Sequence, residues 1–158
     1  MARYTGTELI PLTIQGYLES NSYNFDFDEE KKVFYLGFTL DNPKADVRFI
    51  YKEEREWYAV IVFPKNTIPM GGINKVLPVL NKINNDILFG NIYIDPEDGE
   101  LAVRTALSVD NRTINEDMVG VAMSTAIGVT DDNINAIMRA LYAEEDEDCP
   151  LSGILLMQ

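Results

Sequence analysis

Residues Leu80 to Asn111, LNKINNDILFGNIYIDPEDGELAVRTALSVDN, decide the fold. Gly90 stands where a helix would end, because a left-handed backbone costs glycine little. Asn91 to Asp95 then alternates, with Ile92 and Ile94 on one side and Asn91 and Tyr93 on the other. Pro96-Glu97-Asp98-Gly99 is turn chemistry: proline presets φ at the first corner and glycine accepts φ > 0 at the exit. Beyond it, Leu101, Val103, Thr105, Leu107 and Val109 share one face, and Ala102, Arg104, Ala106 and Ser108 the other. Two alternating runs around such a turn predict an antiparallel hairpin following a helix.

Upstream, Thr5 to Asn21 reads as a first helix capped by Thr7, with Ile10, Ile14, Tyr17 and Leu18 at helical spacing. Three strands follow. Val33 to Leu40 puts Phe34, Leu36, Phe38 and Leu40 on one face, and Asp41-Asn42-Pro43 turns the chain. Val47 to Lys52 alternates, and Glu53 to Glu56 is a charged turn. Trp57 to Phe63, WYAVIVF, is apolar on both faces, as in a strand covered on both sides or lying at a subunit interface. After a Pro/Gly loop, Ile73 to Phe89 carries Ile73, Val76, Leu77, Leu80, Ile83 and Ile87 as a helical stripe, with Pro78 in its first turn or at a kink.

Downstream of the hairpin, Thr113 to Ile127 presents Ile114, Met118, Val121, Ala122 and Thr125 on one helical face. Gly128 interrupts, and Thr130 or Asp131 caps a further helix with Ile134, Ile137, Met138 and Leu141. The order is α-β-β-β-α-β-β-α-α, an α+β fold with an antiparallel sheet of about five strands packed with helices. Residues 1–143 form one domain; 144–158 are an acidic run, Glu144 to Asp148, and an apolar tail.

That order and the opening stretch resemble the YbjN-like family of bacterial proteins. The resemblance rests on Leu80-Asn81-Lys82-Ile83-Asn84, the strand after Gly90, the acidic turn into Gly99-Glu100-Leu101, and Val103-Arg104-Thr105. It implies the fold of type III secretion chaperones, small acidic proteins, often homodimers, that hold extended segments of other proteins. It supplies no catalytic residues.

The 158 residues are enough to bury roughly 70% of the surface an unfolded chain exposes. A formal net charge of -13 argues against nucleic acid and against an anionic membrane surface. One cysteine forms no internal disulfide, and no apolar run reaches membrane-spanning length, so the expected location is cytoplasmic. The chain has no histidine, the commonest general base, and Cys149 follows five acidic residues that disfavour a thiolate. An enzyme and a cofactor are not expected.

Other features have plain readings. Asp95, Glu97 and Asp98 crowd one turn, but Gly99 falls one place early for an EF-hand loop and Ala106 stands where its closing glutamate belongs. Asp26, Asp28, Glu29 and Glu30 read as a solvated turn, and Gly71-Gly72 lacks any phosphate-loop context. Asn84 suits local backbone groups, and Arg104 a nearby carboxylate. Met118, Met123 and Met138 read as core filler.

The expected function is a non-enzymatic, chaperone-like or regulatory protein-binding module, a homodimer with a protein client. The alternative is a small-ligand or carboxylate-dependent catalytic protein with a pocket between helices and sheet. Candidate interaction residues are Tyr51, Trp57 and Tyr58, since aromatics are enriched at interfaces, although core filling competes with that reading. Leu151, Ile154, Leu155 and Leu156 join them: apolar residues beyond a run of like charges are expected to dock rather than stay in water.

Overall fold

A computed structural model describes residues 1–39, 44–109 and 113–143. The element order is α1 (Leu9–Ser20), β1 (Asp26–Asp28), β2 (Val33–Thr39), β3 (Lys44–Lys52), β4 (Trp57–Pro64), α2 (Ile73–Asp86), β5 (Asn91–Ile94), β6 (Leu101–Ser108) and α3 (Glu116–Tyr142). The six strands form one antiparallel sheet in the order β1-β2-β3-β4-β6-β5. The sixth strand is the short β1, inside the segment read as a solvated turn.

Period-two alternation divides the sheet into two faces. Phe34, Phe49, Val60 and Thr105 lie in one register row and Leu36, Val47, Val62 and Val103 in the next. Their apolar members join Ile10, Ile14 and Leu18 of α1, Val76 and Leu80 of α2, and Ala122, Met123 and Ala126 of α3 in one core. The opposite face carries Tyr35, Ile50, Trp57, Ala59, Ile61, Phe63 and Ala106, and none of these belongs to that core. The doubly apolar β4 is therefore helix-covered on one side only.

Gly128 does not break the last helix. Residues 116–142 run as one α-helix, with Val119, Ala122, Met123, Ala126, Thr130, Ile134, Ile137 and Leu141 buried along a single stripe. An interior glycine costs about 1 kcal/mol, and burial on both sides of it outweighs that. Thr130 does not cap; its hydroxyl donates to Ala126 O at 2.8 Å. Asn115 caps instead, its Oδ1 accepting from Met118 N–H at 2.9 Å. The buried stripe is rotated from the expected one, and Val121 faces outward, 62% exposed.

The first helix starts two residues later than Thr7, with no local side-chain cap. Glu53 caps it from the turn after β3, accepting Leu9 N–H at 3.2 Å and Ile10 N–H at 3.0 Å. The second helix ends at Asp86, short of Phe89, and Pro78 lies inside it. Leu77, expected in its buried stripe, is exposed. Gly90 adopts φ +83°, as expected, though at the entrance to β5 rather than at the helix end.

Candidate functional site

The expected hairpin forms, with Ile92 opposite Val103 and Ile94 opposite Leu101. Gly99 holds φ +76°, and a Cβ there would collide with Ile68 O. The turn's carboxylates serve the backbone: Asp95 Oδ1 accepts from Glu97 N–H at 2.9 Å and Asp98 Oδ1 from Glu100 N–H at 2.8 Å. Gly72 sits where a Cβ would meet the Leu141 side chain, so its neighbourhood is helix packing. Among the described residues no group of three or more Cys, Asp or Glu could hold a metal ion.

The hairpin is lopsided. Strand β5 pairs with β6 only from Leu101 to Arg104, whereas β4 pairs with β6 as far as Ser108. The N–H of Asp95 donates to Glu100 O, which fixes the alternation along β6. Glu100, Ala102 and Arg104 turn their backbone groups toward β5, and Ala106 and Ser108 must turn theirs the same way. Past Asn91 no strand among the described residues receives them. The segment Leu88-Phe89-Gly90 leaves the sheet there, and Gly90 packs closely over Arg104 and Thr105.

A recess flanks this free edge on each face. On the helix side, Leu88, Phe89, Thr105, Leu107, Val121, Ala122 and Thr125 line a pit of about 330 Å³. Its rim is apolar and exposed: Leu88 91%, Phe89 73%. Thr105 is buried in its wall, and its Oγ1 has no hydrogen-bond partner among the described residues. On the open side, Ile50, Trp57, Ala59, Asn91, Arg104 and Ser108 line a groove of about 550 Å³. Both recesses include Gly90, Ala106 and Leu107, so they meet across the edge of β6.

The open face is dressed by cations over aromatic rings. Arg48 lies 4.0 Å from the Phe63 ring centroid and Arg104 5.3 Å from that of Tyr93. Arg104 Nε also donates to Asn91 Oδ1 at 3.4 Å, so its partners among the described residues are a ring and an amide rather than the expected carboxylate.

Of the residues expected at an interaction surface, Trp57 alone lies in this site. Tyr51 and Tyr58 are opposite one another on the helix-covered face and buried. The aromatic signal for those two was core filling, and burial holds both phenols neutral, raising their pKa above the usual tyrosine value. Leu151, Ile154, Leu155 and Leu156 lie outside the described residues. Leu88 and Phe89 fall within the range expected for the second helix but outside its apolar stripe, and periodicity cannot show that this helix stops at Asp86; Val121 is expected on the apolar stripe of the following helix.

A six-stranded antiparallel sheet with three helices on one face is a type III secretion chaperone-like fold. The chain belongs to the YbjN family, whose model, described as "Putative bacterial sensory transduction regulator", matches residues 12–139. The structure is similar to that of YbjN from E. coli, with TM-score 0.61, 12% identity, and coverage of 82% of this chain and 93% of that one. It is similar to a chain of the ExsC-ExsE complex, with TM-score 0.59, 8% identity, and coverage of 80% and 91%. It also resembles a chain of the HopA1-SchA chaperone-effector complex, with TM-score 0.51, 12% identity, and coverage of 85% and 94%. No curated protein sequence matches the chain.

Proposed function

We propose that this protein is a non-enzymatic, chaperone-like binding module that holds an extended segment of a protein client by adding it to the free edge of β6. The observation that carries the reading is the unpaired edge at Ala106 and Ser108 with a recess on each face. Side chains of an added strand alternate between faces. One would enter the pit under Leu88, Phe89 and Val121, and the next would lie in the groove beside Trp57. Main-chain bonds supply affinity and the two recesses supply selectivity. Solved relatives of this fold in complexes with partner proteins support the reading. Its fuller form is a cytoplasmic homodimer that carries the client; among the described residues, no helix is long and apolar enough to cross a membrane.

The test uses tiled peptides from proteins encoded beside this chain, titrated while the fluorescence of Trp57, the sole tryptophan, is followed. A binding segment should saturate the signal. Ala106→Pro removes an edge donor without touching the β4 ladder, and Phe89→Ser and Val121→Ser empty the pit rim. Each should weaken binding about tenfold, equivalent to about 1.4 kcal/mol. Binding indifferent to all three variants, or binding of no peptide, overturns the site. Light scattering on the same samples distinguishes one chain from two.

A further inference from the structure

A second groove, of about 440 Å³, runs between α2 and α3. Its floor is Val79, Ile83, Ile87 and Ala136, and Lys82 and Arg139 stand on its rim beside Asp86 and Asn133. The helices are antiparallel here, since Gly72 at the start of α2 packs on Leu141 near the end of α3. Arg139 is one turn from the point where the chain leaves α3 at Ala143. Among the described residues neither Lys82 nor Arg139 has an ion-pair partner, in a chain with twice as many acids as bases.

We propose that this groove is occupied by the protein's own segment 144–157, in cis. The order of residues matches the order of the groove. Glu144 to Asp148 follow the negative end of a helix dipole, an unfavourable position for five carboxylates unless they turn back toward cations. Arg139 and Lys82 are the cations within reach. Residues 144–150 span at most roughly 23 Å when extended, enough to run back along α3 and deliver Leu151, Ile154, Leu155 and Leu156 to Val79, Ile83 and Ile87. The groove's lining carries Lys82 and Arg139 against the single carboxylate of Asp86, a net positive charge on a protein of -13. A second copy is the poorer occupant, because self-repulsion at that charge opposes it. The edge site of β6 is separate, so the two readings stand or fall independently.

A nitroxide attached to Cys149, the sole cysteine, tests this in the full chain. Paramagnetic loss of amide signal at Lys82, Ala136 and Arg139, independent of protein concentration, is the expected result. The double variant Lys82→Glu/Arg139→Glu should restore those signals, as should high salt. Ending the chain at Cys149 should lower the melting temperature by a few degrees. Loss of signal centred on Leu88 and Val121 would place the segment in the client site and overturn the proposal. So would loss in a mixture of isotope-labelled and spin-labelled chains, which reports a second copy. A uniform, weak effect with an unchanged melting temperature overturns it as well.

Discussion

Asn84 grips Ile92 with both ends of its amide: Nδ2 donates to Ile92 O at 2.9 Å, and Oδ1 accepts from Ile92 N–H at 2.9 Å. Because Ile92 sits at a non-hydrogen-bonded position of the hairpin, those two groups face out from the edge of β5. A helix side chain thus does the work of a further strand and closes that edge. The same sheet edge is left uncapped one step along, at Ala106 and Ser108 of β6. One edge is closed by a side chain and the other, among the described residues, is left open.

Asn84→Ala should therefore cost about 1–3 kcal/mol, because Ile92 is buried and its backbone groups lose both partners. Asn84→Asp keeps the acceptor but not the donor and should fall between. Urea unfolding checks the order. Light scattering should show more self-association for the alanine variant than for wild type, since its β5 edge is newly free.

Glu53 tests how α1 is held. Its carboxylate takes two N–H groups at the positive end of a helix that has no local cap. Glu53→Ala should lose about 1–2 kcal/mol and Glu53→Gln less, since an amide oxygen can still accept but carries no charge. The check is the urea midpoint at unchanged slope. A Glu53→Ala protein with the wild-type midpoint would mean that the packing of Ile10, Ile14 and Leu18 alone fixes the helix.

Those two contacts also mark what could be read from the chain. The hairpin was legible because its signals are local: alternation of period two, Pro96 and Gly99, all within one stretch. The faces of β3 and β6 were legible for the same reason, and so was the α+β class, whereas β4, apolar on both sides, gave no sign of which face the helices cover. Glu53 capping Leu9 and Ile10 was not, because the partners lie 43 and 44 residues apart and a glutamate in a charged turn has no pattern. The helix count failed at Gly128, where a local breaker was overridden by burial of Ala126 and Thr130 on either side. Of the residues that line the candidate site, only Trp57 stands out in the sequence as an interaction residue. The exposure of Leu88 and Phe89 depends on where α2 stops, and the open edge of β6 depends on a length mismatch between two strands, neither of which is a property of one segment.

Stability should fall in alkali in a defined window. Burial holds the phenols of Tyr51 and Tyr58 above the ordinary tyrosine value, and that of Tyr17 is pushed up to about 12, chiefly by burial and then by Tyr23. A raised phenol is neutral in both states below about pH 10, so nothing changes there. Above it the unfolded chain releases protons that the folded chain keeps, and the unfolded state is favoured until the folded values are passed. The urea midpoint should be flat from neutrality to about pH 10 and then decline. Tyr58→Phe should flatten the decline, and it should cost little at neutral pH because the Tyr58 hydroxyl is buried without a partner among the described residues.

Two glycines should respond to alanine with opposite sign. At Gly128 a Cβ would find no atom within 4 Å, and the backbone is helical, so Gly128→Ala removes unfolded-state freedom and adds helix propensity at no steric cost. It should stabilise the protein by about 0.5–1 kcal/mol. At Gly99 the backbone holds φ +76° and the new Cβ would collide with Ile68 O, whose residue donates its own N–H to Gly99 O at 3.0 Å. Gly99→Ala must therefore open the turn or push the Ile68 loop away, and it should cost at least about 1–3 kcal/mol. Thermal unfolding of the two variants beside wild type reads both signs in one experiment. A destabilised Gly128→Ala would mean that α3 is strained at its centre, which would reopen the division of residues 113–142 into two helices.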